Sequence, residues 1–151
     1  MNTREFVNEN TLGGKAKNFR WKLDEAGDLL IERKFSLKSS PEPTVNYTKF
    51  SKEEIEAIIN YVAKNEWTNL GNSVSKLGDG SEKEGLGKFM FEVLGCDITK
   101  CQASSQLSPI LINAGIWEYN GKKRNIRFRS NNNEWEKLLQ AYYERHLSKN
   151  I

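Results

Sequence analysis

LGCDITKCQASSQLSPILINAGIWEYNGKKRNIRFR, residues 94–129, is the stretch on which the reading of the whole chain turns. Thr99 and Gln102 stand at capping-box spacing, and after them Ala103, Leu107, Ile110, Leu111 and Ala114 recur on one side of a helix. The opposite side carries Gln102, Ser105, Gln106 and Asn113, which are polar but uncharged. Pro109 removes a backbone donor, so the pattern predicts a kink near Ser105 or a new short helix capped by Ser108. Gly115 closes the helix. Asn120-Gly121 between two strand-like runs predicts a tight hairpin, with Ile126 and Phe128 facing in and Arg127 and Arg129 facing out.

Working upstream, Ser51 opens a clear helix: Glu54 sits three residues after a capping serine, Phe50 can staple onto Ile55, and Ile55, Ile58, Ile59 and Val62 share a face. Trp67, Leu70, Val74 and Leu77 continue a helical rhythm, residues 78–87 read as a glycine-punctuated loop, and Lys88 to Leu94 reads as a short helix closed by Gly95. Nearer the start, Phe19, Trp21 and Leu23 alternate with Arg20, Lys22 and Asp24 at strand spacing. A turn at 25–28 and a β-prone run from Leu29 to Phe35 complete a hairpin. Residues 36–49, with Pro41 and Pro43, read as a connector, and residues 1–17 as a loose arm. Downstream, Asn133 and Glu136 mark the start of a final helix with Trp135, Leu138, Leu139, Tyr142 and Leu147 on one stripe.

Sixteen aromatic residues among 151 exclude global disorder. The net charge of +3 hides a gradient: residues 1–99 carry 14 Lys/Arg against 16 Asp/Glu, residues 100–151 carry 9 against 4. Most of the excess lies in Lys122, Lys123, Arg124, Arg127 and Arg129, a local patch that points to a polyanionic partner more than a mean charge would. Two cysteines, Cys96 and Cys101, are too few for a disulfide framework or a zinc site and read as cytosolic thiols. Without a signal-peptide core or a run of about 20 apolar residues, the expected location is cytoplasmic with no membrane partner.

Helix, short helix, turn, helix, glycine and basic hairpin, in that order over residues 51–130, resemble the winged-helix family of DNA-binding domains. The resemblance is strongest over 94–129, where Gly115-Ile116 opens the wing; Pro109 departs from an uninterrupted recognition helix. It implies an α+β single domain: an N-terminal arm, hairpin and linker over 1–49, a winged-helix unit with a C-terminal helix over 50–151, and that helix either capping the core or pairing two subunits. It also implies non-catalytic binding of double-stranded DNA, with a regulatory role, in which Gln102, Ser105 and Gln106 read bases and Lys100, Asn113 and Trp117 also belong to the DNA-binding surface. Lys122, Lys123, Arg124, Arg127 and Arg129 would hold phosphates. A protein-binding adaptor or inhibitor using the same surface is the alternative reading.

Enzymatic readings find less support. Asp24 with Glu32-Arg33-Lys34 has the letters of a metal-dependent nuclease, but solvent-facing charges on a hairpin account for them. Gly80 to Gly85 is followed by Leu86, so no phosphate loop is spelled out, and a single histidine, His146, gives a nucleophilic triad nothing to rest on. No metal or cofactor is expected. The tryptophans Trp21, Trp67, Trp117 and Trp135 read as core anchors, with Trp117 beside Tyr119 and Arg124 the one placed to meet a ligand.

Overall fold

Period-two spacing at Phe19, Trp21 and Leu23 puts all three on one face, and that face is buried, to 4%, 0% and 3% exposure. In the computed structural model, which describes residues 5–13, 17–35, 42–122, 124–131 and 134–149, this segment is β2 (Asn18–Leu23) of a four-stranded antiparallel sheet. Its neighbours follow chain order: β1 (Val7–Asn10), β2, β3 (Leu29–Phe35) and β4 (Thr44–Phe50). The expected hairpin is therefore present but is half of a larger sheet. The stretch expected as a loose arm contributes β1, paired from Val7↔Trp21 to Asn10↔Asn18, and the expected connector contributes β4 beyond Pro43. Pro41 itself lies outside the described residues.

Ser51 and Glu54 form the predicted capping box at the head of α1 (Lys52–Ala63): the Glu54 amide donates to Ser51 Oγ at 3.1 Å, and the Ser51 amide to Glu54 Oε1 at 2.9 Å. Asp28, in the β2–β3 turn, accepts from the Lys52 amide at 2.8 Å, so the sheet helps to cap the helix. After α1 come β5 (Thr68–Asn69), α2 (Val74–Asp79) and α3 (Leu86–Glu92). The predicted helical rhythm from Trp67 is thus broken by a two-residue strand. Gly87 has a steric reason: a Cβ there would lie 2.6 Å from Asn72 Cα and nearer still to the Gly71 carbonyl, so α3 starts in direct backbone contact with the 71–72 segment.

The decisive stretch folds as α4 (Ile98–Gln102), α5 (Ser104–Asn113), β6 (Trp117–Tyr119) and β7 (Arg127–Ser130). Asp97, not Thr99, caps α4, its side chain accepting from the Lys100 amide at 2.7 Å. The break falls at Ala103, before Ser105, while Pro109 is accommodated inside α5; the Ser108 hydroxyl turns back to the Ser104 carbonyl at 2.6 Å instead of capping a new helix. β6 and β7 form the expected hairpin, but Tyr119 pairs with Phe128, so the loop runs from Asn120 to Ile126 and the tight two-residue turn does not form. A three-stranded sheet results, in the order β5-β7-β6.

The last helix, α6 (Trp135–Lys149), buries Trp135, Leu139 and Tyr143 at i, i+4 and i+8. Its predicted cap, Asn133, lies outside the described residues. The stripe packs on β1 and β2, where Trp21 meets the rings of Tyr142 at 6.0 Å and Tyr143 at 5.3 Å; this helix caps the core. One hydrophobic cluster runs from Val7 through the central helices to Tyr143, so the chain is α+β around a shared core that crosses the expected boundary at residues 49–50. Among the described residues no helix is long and apolar enough to cross a membrane.

Candidate nucleic-acid interface

Helix α5 packs beside the β6–β7 hairpin. Ser105 and Gln106 from α5 and Ile126 and Phe128 from the hairpin line one cleft of about 270 Å³. Thr11, Leu12 and Lys17, from the turn between β1 and β2, form another wall, and Leu70 and Ser108 complete the lining. The β1–β2 turn thus stands beside Ser105 and Gln106, on the side of α5 expected to face DNA.

The residues expected to read bases are correspondingly engaged. Ser105 Oγ accepts from Asn72 Nδ2 at 2.8 Å, and the same amide reaches Ser104 Oγ at 3.0 Å and the Gln102 carbonyl at 3.5 Å. Gln106 is half-buried, with its Oε1 shut off from solvent. Asn113 is exposed but donates to Glu9 Oε2 on β1 at 3.0 Å. Lys100 points back to α1, placing Nζ 2.8 Å from both oxygens of Glu54 and 5.3 Å from the Phe50 ring centroid. Burial works against ionisation of Glu54, but the hydrogen bonds from Lys100 and Ser51 outweigh it and hold its carboxyl below the usual range. Trp117 is 1% exposed, stacked on Phe128 at 5.2 Å, so it belongs to the core and not to a contact surface.

The hairpin cations divide into two groups. Arg129 is held by Glu118, Nε to Oε2 at 2.6 Å, and lies 4.9 Å over the ring of Trp67; that ring, 37% exposed, makes the cation contact expected of Trp117. Arg127 spends its Nε on Asn69 at 3.1 Å and keeps the rest of its guanidinium in solvent. Lys122 and Arg124 are exposed and, among the described residues, neither is in an ion pair. Lys123 lies outside the described residues. Beside the hairpin, Lys76 and Lys83 line the same recess of about 260 Å³ as Arg124, together with Glu82. No periodic signal marked these two lysines, because their proximity to Arg124 arises from the fold of the 69–87 segment.

The remaining candidate chemistry sits elsewhere. Glu32 accepts both nitrogens of the Arg20 fork at 2.7 Å, which holds its carboxyl below the usual range, while Asp24 accepts from the Asp28 amide at 2.9 Å within its own turn. Among the described residues no group of three or more His, Cys, Asp and Glu is arranged to hold a metal ion. Cys96 and Cys101 are buried, and desolvation pushes the Cys101 thiol up to about 12. His146 lies edge-on to Tyr142 at 4.5 Å and to Trp21 at 6.2 Å, packing against the sheet rather than merely ending its helix. Comparison of the chain with family models, curated proteins and solved structures finds no match.

Proposed function

We propose that residues 51–130 form a winged helix and that the protein is a non-catalytic nucleic-acid-binding protein gripping duplex DNA by its phosphates without reading bases. The observation that carries this is the exposed set Lys122, Arg124 and Arg127 on a hairpin whose strand β7 is braced between β5 and β6. Cations presented on a short braced ribbon bind phosphates by releasing counterions, which gives affinity and no sequence information. The engagement of Ser105, Gln106 and Asn113 by the rest of the fold supports leaving base readout out of the proposal.

Duplex titration across a salt series tests the reading. Three phosphate contacts give a slope of log affinity against log salt of about −3. The triple variant Lys122→Glu, Arg124→Glu, Arg127→Glu should abolish most of the affinity. Duplex binding that this variant leaves unchanged overturns the proposal. The exposed apolar side chains Val93, at 68%, and Val74, at 44%, favour a second reading, an adaptor that uses the winged-helix surface for protein.

A further inference from the structure

The outer face of the four-stranded sheet is not part of the wing and has its own chemistry. Register aligns Asn8, Arg20, Glu32 and Tyr47 in one row across all four strands, with Lys22, Leu30 and Lys49 in the next and Lys34 beside Val45 on the other side. All of these point away from the core that the alternate residues Trp21, Ile31 and Thr48 face. The face carries four cations, Arg20, Lys22, Lys34 and Lys49. Its one carboxylate within the strands, Glu32, is only 4% exposed because the Arg20 fork covers it and Tyr47 donates to it at 3.3 Å. At the sheet's edge Asp28 offsets part of Lys49 at 3.4 Å.

Aromatic rings are set among these charges. Phe6 lies 5.0 Å from both the Arg20 guanidinium and the Lys22 ammonium, and 6.3 Å from the Tyr47 ring. Tyr47 is 57% exposed and its strand neighbour Val45 is 42% exposed. A recess of about 400 Å³ opens between Asn8, Asn18, Arg20, Glu32 and Lys34. Exposed lysines alone serve as protection against edge-to-edge aggregation. That role does not account for a large, 57% exposed ring on the edge strand β4 of the cationic face, where it adds apolar surface.

We infer that this face is a second binding surface, for a single-stranded polynucleotide: its bases stack on Tyr47 and Phe6 while Lys22, Lys34 and Lys49 hold its phosphates. A single strand is the occupant because its bases are free to lie on rings, whereas a duplex keeps its bases stacked inside and a sheet face of this width enters neither groove. Positive charge supplies the complement to the backbone, and flat aromatic surface supplies the complement to the base in a sequence-tolerant way. The inference stands apart from the wing, and its test separates the two.

Labelled oligo(dT) and oligo(U) of about 15 nucleotides are titrated against the full chain by fluorescence anisotropy, with inorganic polyphosphate as a competitor that has charge but no bases. Tyr47→Ala should weaken binding about five-fold or more, and Tyr47→Phe should restore it, since stacking needs the ring and not the hydroxyl. Lys22→Glu with Lys34→Glu and Lys49→Glu should reduce binding further and lower the salt slope by about 2. All these side chains are at the surface, and unchanged thermal unfolding confirms intact variants. The wing variant should keep its single-strand affinity. Absence of single-strand binding, an unaffected Tyr47→Ala, loss of binding in the wing variant alone, or polyphosphate competing as well as the oligonucleotides would each overturn the inference. Oligo(dT) against oligo(U) then distinguishes DNA from RNA as the source of the strand.

Discussion

Glu9 on β1 and Asn113 at the end of α5, 104 residues apart in the chain, are joined by a 3.0 Å hydrogen bond from the amide Nδ2 to the carboxylate Oε2. The other oxygen accepts from Tyr142 at 2.7 Å and Trp21 Nε1 at 3.3 Å, so one carboxylate, 8% exposed, ties the sheet to both α5 and α6. The Tyr142 hydroxyl is pushed well above the usual phenol range, first by burial and then by its bond to Glu9.

Removing that carboxylate strands three donors. Glu9→Ala is expected to cost about 2–3 kcal/mol in urea unfolding, with Glu9→Gln costing less because an amide still accepts one of the bonds. A loss of under about 0.5 kcal/mol for Glu9→Ala would show that the clamp is not what holds the sheet.

Acid should weaken the fold through Glu32 and Glu54. Hydrogen bonding from Arg20 lowers the Glu32 pKa, and the bonds from Lys100 and Ser51 overcome burial to lower that of Glu54, both from 4.5. A carboxyl depressed in the folded state stabilises at pH above its unfolded value and gives that stabilisation up as pH falls below it. Thermal unfolding should therefore be steady from neutrality to about pH 5 and decline below about 4.5, with a shallower decline in Glu32→Gln and Glu54→Gln.

Two glycines should respond differently to alanine. Gly115 has φ +88° and open space around its missing Cβ, so Gly115→Ala carries only the left-handed backbone strain, about 1–2 kcal/mol. Gly87 would drive a methyl into Gly71 and Asn72, and Gly87→Ala should reach or exceed the upper end of about 1–3 kcal/mol. Chemical denaturation of the two variants orders them; the reverse order would contradict the close approach at α3.

Trp117 and Trp67 make a second contrasting pair. Trp117→Ala empties a core position and should cost about 3–5 kcal/mol. Trp67→Ala removes mainly a half-exposed ring beneath Arg129 and should cost at least ~2 kcal/mol less. Equal losses would mean that Trp67 carries core weight its exposure does not suggest.

What the sequence revealed follows the range of the forces involved. The α1 cap was legible because Ser51 and Glu54 satisfy each other within three residues, and the α6 stripe because Trp135, Leu139 and Tyr143 repeat at helical spacing. β1 was not, since VNEN contains one apolar residue and becomes a strand only by pairing with β2. β4 was obscured by the prolines before it, although TVNYTKF is β-prone in itself. In the β6–β7 hairpin, the cations were legible but the seven-residue span from Asn120 to Ile126 was not, because the register Tyr119↔Phe128 set the loop length in place of the Asn-Gly pair. The covering of Ser105 and Gln106 could not be read locally at all: it depends on Thr11, Leu12 and Lys17 arriving from the other end of the chain.

Tyr143 gives its hydroxyl to the Glu5 carbonyl at 2.5 Å, 138 positions away. During synthesis on the ribosome the first strand therefore emerges long before the helix that covers it. Trp21 and the part of the sheet's inner surface beneath α6 stay wet until Trp135–Lys149 has been made, so the sheet cannot close its core by local pairing alone. A chain stopped ahead of Trp135 therefore leaves Trp21 without the rings of Tyr142 and Tyr143 that cover it.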